Sequence, residues 1–426
     1  MLAALAPAAA WAGIIFTPSI SAGVGYDDNV RQQKARRGDG FVTTRPAATL
    51  EAGKPNNLFQ VSASAQFDKY YRLHNYDGFQ NGDITARWRY LPTRIWAFEA
   101  YNSFSSSYDQ EEIDETGGFT RVRPASGRRD RNTTGARVTR LLGPGGSQLT
   151  AGYSYAITRN ENPTLEDQAS HHADLGLTYR LSPRYRTSLF LTGDQDDYER
   201  SSDVQRGTAE ARLAYLFNSH DEVWAGAVVG GSRSLSDTGS IQQGRDYTYY
   251  SPRLGFKKAF SPKWELEGYG GVTYVEGEKS ANSASGEYAP VGNLQLTYRE
   301  KLWLFRVSTL ASMDENQSLG QNTGLVDRKQ VSASLDVRPA ARWRLGFGAD
   351  WVRDDYKQNQ RAGISPTTLG YAEYWRFYSL ASYQFTQHWS VKLDYRYLTR
   401  YSENDTDNLE QNRVVLSMDY ELPFRW

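Results

Sequence analysis

Asn412 to Trp426 reads NRVVLSMDYELPFRW. From Val414 onward every even position is apolar or aromatic: Val414, Leu416, Met418, Tyr420, Leu422, Phe424 and Trp426. The odd positions include Ser417, Asp419, Glu421 and Arg425. A period of two puts these two sets on opposite faces of an extended chain, so the segment is predicted to be a strand with one greasy and one wet face.

The same alternation recurs along the chain. Phe16, Ile20, Ala22, Val24 and Tyr26 share one parity near the N-terminus, against Ser19, Ser21, Gly23 and Gly25. Ala173, Leu175, Leu177 and Tyr179 alternate with Asp174, Gly176, Thr178 and Arg180. Trp343, Leu345, Phe347, Ala349 and Trp351 do so against Arg344, Gly346, Gly348 and Asp350.

Turn-forming connections are expected near Lys54-Pro55-Asn56-Asn57, Leu91-Pro92-Thr93, Gly143-Pro144-Gly145-Gly146, Ser182-Pro183, Asn218-Ser219-His220, Ser261-Pro262, Arg299-Glu300-Lys301, Pro339-Ala340-Ala341 and Thr386-Gln387-His388. Longer polar connections alternate with them, among them 27–40, 108–130, 198–204 and 401–410. Short turns on one rim and long loops on the other predict an all-β chain folded as a transmembrane antiparallel up-and-down β-barrel. It should have about twenty strands, with eighteen as the alternative, short periplasmic turns and long extracellular loops. A terminal strand closed by an aromatic residue resembles the C-terminal signal of bacterial outer-membrane barrels. That resemblance implies that Tyr420, Leu422, Phe424 and Trp426 are read by the barrel-assembly machinery. Trp96, Tyr185, Trp264, Trp303, Trp343 and Trp389 each follow a short turn on the outward parity, where a periplasmic aromatic girdle meets the lipid headgroups.

Composition agrees with this reading. Mean hydropathy is −0.67 although 29 Tyr and 11 Trp are present, because lumen-facing and lipid-facing residues cancel in any running average. Beyond the first fifteen residues no apolar run is long enough for a membrane-spanning helix. Lys plus Arg and Asp plus Glu balance at 49 each, so nothing argues for nucleic acid. The absence of Cys suits passage through an oxidising periplasm. Residues 1–12, MLAALAPAAAWA, end in Ala10-Trp11-Ala12 and read as the remnant of a secretory signal, leaving 13–426 as one barrel domain in the outer membrane of a Gram-negative bacterium.

The inward parity carries both charges. Arg87, Arg89, Arg180, Arg212, Glu265, Glu267, Arg306, Lys392, Asp394 and Arg396 are the expected lumen lining. So many strands leave an interior too wide for side chains to fill, so water, or loops in part, should occupy it. The longest loop is charge-segregated, opening with Asp109, Glu111, Glu112, Asp114 and Glu115 and closing with Arg121, Arg123, Arg128 and Arg129. It is the candidate constriction if it folds inward, and otherwise a solvated surface loop.

Signals for catalysis are thin. His74, His171 and His172 lie near the extracellular rim, with Asp196-Asp197 on what reads as a neighbouring loop, and His388-Trp389-Ser390 has a His-x-Ser spacing. None suffices for an enzyme. Asn404, Asp405, Asp407, Asn408 and Glu410 offer oxygens to a hard cation but lack the glycine and distal Glu of an EF-hand, so neither a metal nor a cofactor is expected.

Gly23-Val24-Gly25-Tyr26-Asp27-Asp28-Asn29-Val30 resembles the opening of the β-barrel porin type 2 group, which includes EpsL-type barrels associated with exopolysaccharide biosynthesis. The resemblance implies a pore or scaffold for exopolysaccharide secretion, with the polysaccharide chain, periplasmic export components and outer-membrane lipid as partners. It brings no catalytic residues, and Asp27, Asp28 and Asn29 are expected to shape the turn into the first loop. A general diffusion porin or small-solute uptake channel is the alternative, and an outer-membrane lipase or protease a more distant one. Polymer identity and oligomeric state are not encoded in these patterns.

Overall fold

The computed structural model describes residues 13–426 apart from 31, 33, 109–110, 115–118, 123–126, 144, 164, 200–202, 236–245, 278–285, 316–324, 357–369 and 404–407. The signal remnant at 1–12 lies outside the described residues. The chain runs through β1 (Ile14–Asp27), β2 (Asp39–Lys54), β3 (Asn57–Tyr70), β4 (Gly78–Thr93), β5 (Trp96–Ser107), β6 (Glu111–Asp114), β7 (Phe119–Val122) and β8 (Arg129–Leu141). It continues through β9 (Gln148–Asn160), β10 (Gln168–Arg180), β11 (Tyr185–Tyr198), β12 (Asp203–Leu216), β13 (Glu222–Leu235), β14 (Tyr247–Ala259) and β15 (Trp264–Gly277). It ends with β16 (Glu287–Arg299), β17 (Trp303–Glu315), β18 (Leu325–Val337), β19 (Trp343–Tyr356), β20 (Tyr371–Gln384), β21 (Trp389–Ser402), β22 (Leu409–Glu421) and β23 (Phe424–Arg425).

Each long strand pairs antiparallel with its chain neighbours. β1 returns to β22, with Ser19–Asp27 set against Glu421–Arg413, and the ring is closed. Twenty strands, β1–β5 and β8–β22, make up the barrel, while β6 and β7 form a separate two-stranded ribbon. Closure leaves no open edge, which a sheet surrounded by lipid requires because hydrocarbon offers no partner to a backbone N–H.

The short turns reuse one device. Ser182 Oγ accepts from the N–H groups of Arg184 and Tyr185 at 3.2 and 3.1 Å, and Ser261 Oγ from those of Lys263 and Trp264, both at 3.2 Å. Thr386 Oγ1 does the same for His388 and Trp389. A hydroxyl three residues before the aromatic therefore satisfies the turn's orphan donors and launches the next strand on an outward aromatic.

Four details differ from the sequence reading. Leu91-Pro92-Thr93 belongs to the end of β4 and the turn is Arg94-Ile95, since a register shift between Tyr90 and Thr93 absorbs Pro92. The last strand breaks at Leu422-Pro423, where Pro has no N–H to pair, before Phe424 and Arg425 resume pairing with Phe16 and Ile15. Asp196 and Asp197 lie within β11, not on a loop. The link read as 198–204 is only residues 199–202.

The apolar parity faces outward. Val24, Leu416, Met418, Leu393 and Phe347 are each about half exposed, as side chains meant for lipid must be. At the short-turn rim the girdle aromatics pack against cross-strand partners in tilted or edge-on geometry: Trp264 against Tyr298 and Trp389 against Tyr420 at 4.6 Å, Trp343 against Tyr383 at 4.9 Å, Tyr185 against Tyr215 at 5.3 Å. Higher on the same face, the indole N–H groups of Trp351 and Trp375 both donate to Glu373 Oε1 at 2.8 Å. From Trp343 to Trp351 is roughly 26 Å along the strand at ~3.3 Å per residue, or about 20 Å of height at a typical tilt. That height matches an outer-membrane hydrocarbon belt of about 25 Å between two aromatic girdles. The chain is an outer-membrane β-barrel.

Candidate functional site in the lumen

The opposite parity lines the lumen, and strand register places all ten candidate lining residues on it. Arg87 Nε lies 2.7 Å from Glu99, Lys257 bridges Glu265 and Glu267 at 3.0 and 3.5 Å, and Lys392 lies 3.0 Å from Asp419. Arg212 pairs with Glu210, and Arg180 turns down to donate to the carbonyls of Ser182 and Pro183 at 3.3 and 2.8 Å. Arg89 stands opposite Glu99 and Leu58, Arg306 opposite Thr297 and Ser334, and Asp394 and Arg396 opposite Val415 and Arg413. Many of these charges are paired, across neighbouring strands as in Arg87–Glu99 and Lys392–Asp419 or along one strand as in Arg212–Glu210, and opposite charges set across strands favour such pairing.

The two ends of this wall differ in hydration. Toward the periplasmic turns Arg344 and Asp336 form a 3.3 Å pair with 56 % and 44 % of their side chains exposed. Toward the extracellular loops Arg328 meets Asp354 through two bonds of 2.7 and 2.8 Å, and only 4 % and 5 % remain exposed. Inward apolar residues are buried beside them: Val352, Ala372, Tyr374, Leu398 and Leu409 form a cluster, and Phe41, Val204, Val228, Val275 and Val291 are likewise covered. Parity reasoning missed these because it expects polar side chains on every inward position. The signal available was the failure of alternation near strand ends, as in Trp351-Val352.

Aromatic rings lie flat along the inner wall where a neighbouring strand supplies glycine. A Cβ on Gly255 would sit 2.2 Å from the Trp224 indole, and one on Gly348 2.0 Å from the Tyr378 ring. Tyr101 and Tyr249 cover Gly135 and Gly230 in the same way. Arginines stack on some of these faces, Arg212 at 4.5 Å from the Trp224 centroid and Arg376 at 5.4 Å from Tyr378.

No protein-family model and no curated protein sequence matches the chain. Solved outer-membrane barrels do. The siderophore receptor PiuA from Acinetobacter baumannii aligns at a TM-score of 0.54 and 11 % identity over 96 % of this chain and 82 % of its own. The siderophore receptor PirA from Pseudomonas aeruginosa aligns at 0.50 and 11 %, over 95 % and 80 %. Pseudomonas aeruginosa OpdL is nearly equal in length, matched over 98 % and 99 %, at 0.39 and 14 %. At such identities the likeness concerns the fold alone.

The remaining candidates separate on the barrel. Of the charge-segregated loop, Asp109, Glu115 and Arg123 lie outside the described residues. Glu111, Glu112 and Asp114 are in β6 and Arg121 in β7, with Glu112 paired in register with Arg121. Arg128 Nε is 3.3 Å from Asp130, and Arg129 begins β8. His171 faces outward, its ring tilted against Tyr155 at 4.7 Å and its Nδ1 2.7 Å from the Tyr153 hydroxyl. His172 faces the lumen, with Nδ1 2.6 Å from Asp194. His388 Nδ1 meets the Glu421 carbonyl at 2.9 Å while Ser390 donates to Asp419, so these two do not form a catalytic pair. Asn404, Asp405 and Asp407 are outside the described residues. Asn408 accepts from the Ser402 N–H, and Glu410 pairs with Arg36.

Asp27-Asp28-Asn29 does more than shape a turn. Asp27 accepts from the Asn29 N–H at 2.9 Å and from Gln411 Nε2 at 2.7 Å. Asp28 takes both the N–H and the side-chain amide of Asn412, at 2.6 and 2.8 Å, and Asn29 Nδ2 donates to the Glu410 carbonyl at 2.8 Å. The motif clasps the first strand to the last at the extracellular end of the seam. On the periplasmic rim, Asp221 accepts from Lys258 Nζ at 2.6 Å, from the Ala259 N–H and from Asn218 Nδ2, and these donors, Lys258 foremost, hold its carboxyl down at about 2.

Proposed function

We propose that the barrel is a non-catalytic outer-membrane conduit for a hydrated carbohydrate chain, of the EpsL-type group, acting in exopolysaccharide secretion. The observation that carries this reading is the inner wall, where paired charges and flat aromatic rings line a half open to the periplasm beneath a half that is covered. A sugar ring offers C–H faces to an aromatic surface and hydroxyls to polar neighbours, and a wall of paired charges serves both without a strong net field. Polymer would arrive from periplasmic export components, and the barrel-assembly machinery would insert the barrel into lipid.

A general diffusion porin is the second reading, favoured by the hydrated periplasmic half. The covered extracellular half argues for a conduit that opens with cargo or a partner. Single-channel recording of the refolded barrel in a planar bilayer tests this, with the host's exopolysaccharide added on each side in turn. The expected result is a small basal conductance that responds to polymer on the periplasmic side. A large steady conductance indifferent to the polymer would make the barrel a general porin.

A further inference from the structure

Guanidinium groups gather on the inner wall around the turn between β8 and β9. A cavity of about 470 Å³ opens there beside Gly145 and Gly146, lined by Arg180, Arg186, Arg212, Glu222, Phe190 and Trp224. A second cavity of about 320 Å³, with Arg137, His172 and Asp174, adjoins it through Gln148, Thr178 and Phe190. Arg186 is neutralised by Glu222 at 2.6 Å and Arg212 by Glu210. Arg180 has no carboxylate partner among the described residues. Its guanidinium lines the cavity and is held in place by the Ser182 and Pro183 carbonyls of the next turn, and its stem rests on Gly145, where a Cβ would lie 3.3 Å away. One row along the wall, Arg253 flanks the same Gly226 as Arg212 and donates to Ser251 Oγ at 3.1 Å, over the Tyr269 ring. Four guanidinium groups thus stand with two carboxylates, beside ring surfaces supplied by Phe190 and Trp224.

We infer that this trough is a subsite for an acidic saccharide unit, a uronate whose carboxylate meets Arg180 while its ring lies against Phe190 or Trp224. The inference rests on the carbohydrate reading above and narrows it to polymers carrying carboxylates. Arginine suits the task because its planar fork matches a carboxylate in two parallel bonds, and an arginine already held in place loses little freedom on binding. Gln148, Thr178 and Ser188 supply neutral partners for ring hydroxyls.

The test is calorimetric titration of the refolded full-length barrel with a galacturonate hexamer and with its methyl ester, the same chain without charge. The acid is expected to bind about tenfold more tightly than the ester, the effect of one charge-assisted contact. That preference should vanish in Arg180→Gln and fall to an intermediate value in Arg180→Lys, which keeps the charge but not the two parallel bonds, with heat-modifiable gel migration reporting that each variant is folded. Equal binding of acid and ester overturns the subsite, as does a preference unchanged in Arg180→Gln. Competition by millimolar acetate as effective as the hexamer also overturns it, because an anion patch needs no ring. The exopolysaccharide reading fails separately, if deleting the gene leaves extracellular polymer intact while the purified barrel still prefers the acid.

Discussion

The two halves of the lumen wall are built from the same residue types and behave as different materials. In the periplasmic half, pairs such as Arg344–Asp336 and Arg87–Glu99 stand in water, where each charge is hydrated whether or not it has a partner. In the extracellular half Arg328–Asp354 is shut away beside Val352 and Leu398. There, loss of one partner strands a charge with no solvent to turn to. A salt bridge in this barrel is thus a stability element where it is shut away, as at Arg328–Asp354, and a hydrated lining where it stands in water, as at Arg344–Asp336.

The contrast can be broken most decisively at Asp354. Asp354→Asn removes the carboxylate that meets buried Arg328 through two bonds, and urea unfolding in lipid vesicles, followed by tryptophan fluorescence, should show a loss of about 3–5 kcal/mol. A loss below about 1 kcal/mol would mean that the extracellular half is wet after all.

The seam tests whether closure draws on the same dry end. Asn29 is fully buried and joins β1 to the Glu410 carbonyl, so Asn29→Ala should cost about 1–3 kcal/mol by leaving that carbonyl unpaired. The same assay, combined with hydrogen exchange at residues 410–412, would localise the effect to the β1–β22 clasp.

Asp221 sharpens the comparison from the periplasmic rim, through pH. Its folded pKa, about 2, lies below the usual carboxylate value of about 3.9, so its contribution is fully present above that range and lost as pH falls through about 2. The unfolding midpoint of Asp221→Asn should therefore lie below wild type by a constant amount above about pH 5, and the two should converge near pH 2. A gap that stayed constant down to pH 2 would assign the effect to packing instead of charge. The smallest effect is expected at Arg344, where Arg344→Gln should change stability by less than about 0.5 kcal/mol while shifting the ion selectivity of the pore toward cations.

Much of this molecule was legible in its sequence. Alternation in Val414 to Trp426 and in Trp343 to Trp351 marked strands, the sequence of short and long connections marked an up-and-down barrel, and parity placed Arg87, Glu265 and Lys392 on the inner wall. The errors were local as well. Pro423 was read through the alternation of the last strand although its missing N–H was visible, and Pro92 was read as the turn itself although it lies at the end of β4. Less legible was the trough around Arg180, since its excess charge depends on which carboxylates the adjoining strands bring within reach.

The sequence by itself determined the strands, their facing and the membrane belt, because an extended backbone turns its side chains alternately to two sides whatever lies around it. Only the tertiary structure decided which inward groups are dry and what Asp27, Asp28 and Asn29 hold. Their partners Glu410, Gln411 and Asn412 lie almost a whole chain away and come into reach only when the last strand closes on the first. Burial in the lumen has the same origin, since the inside of a barrel does not exist until the ring is shut.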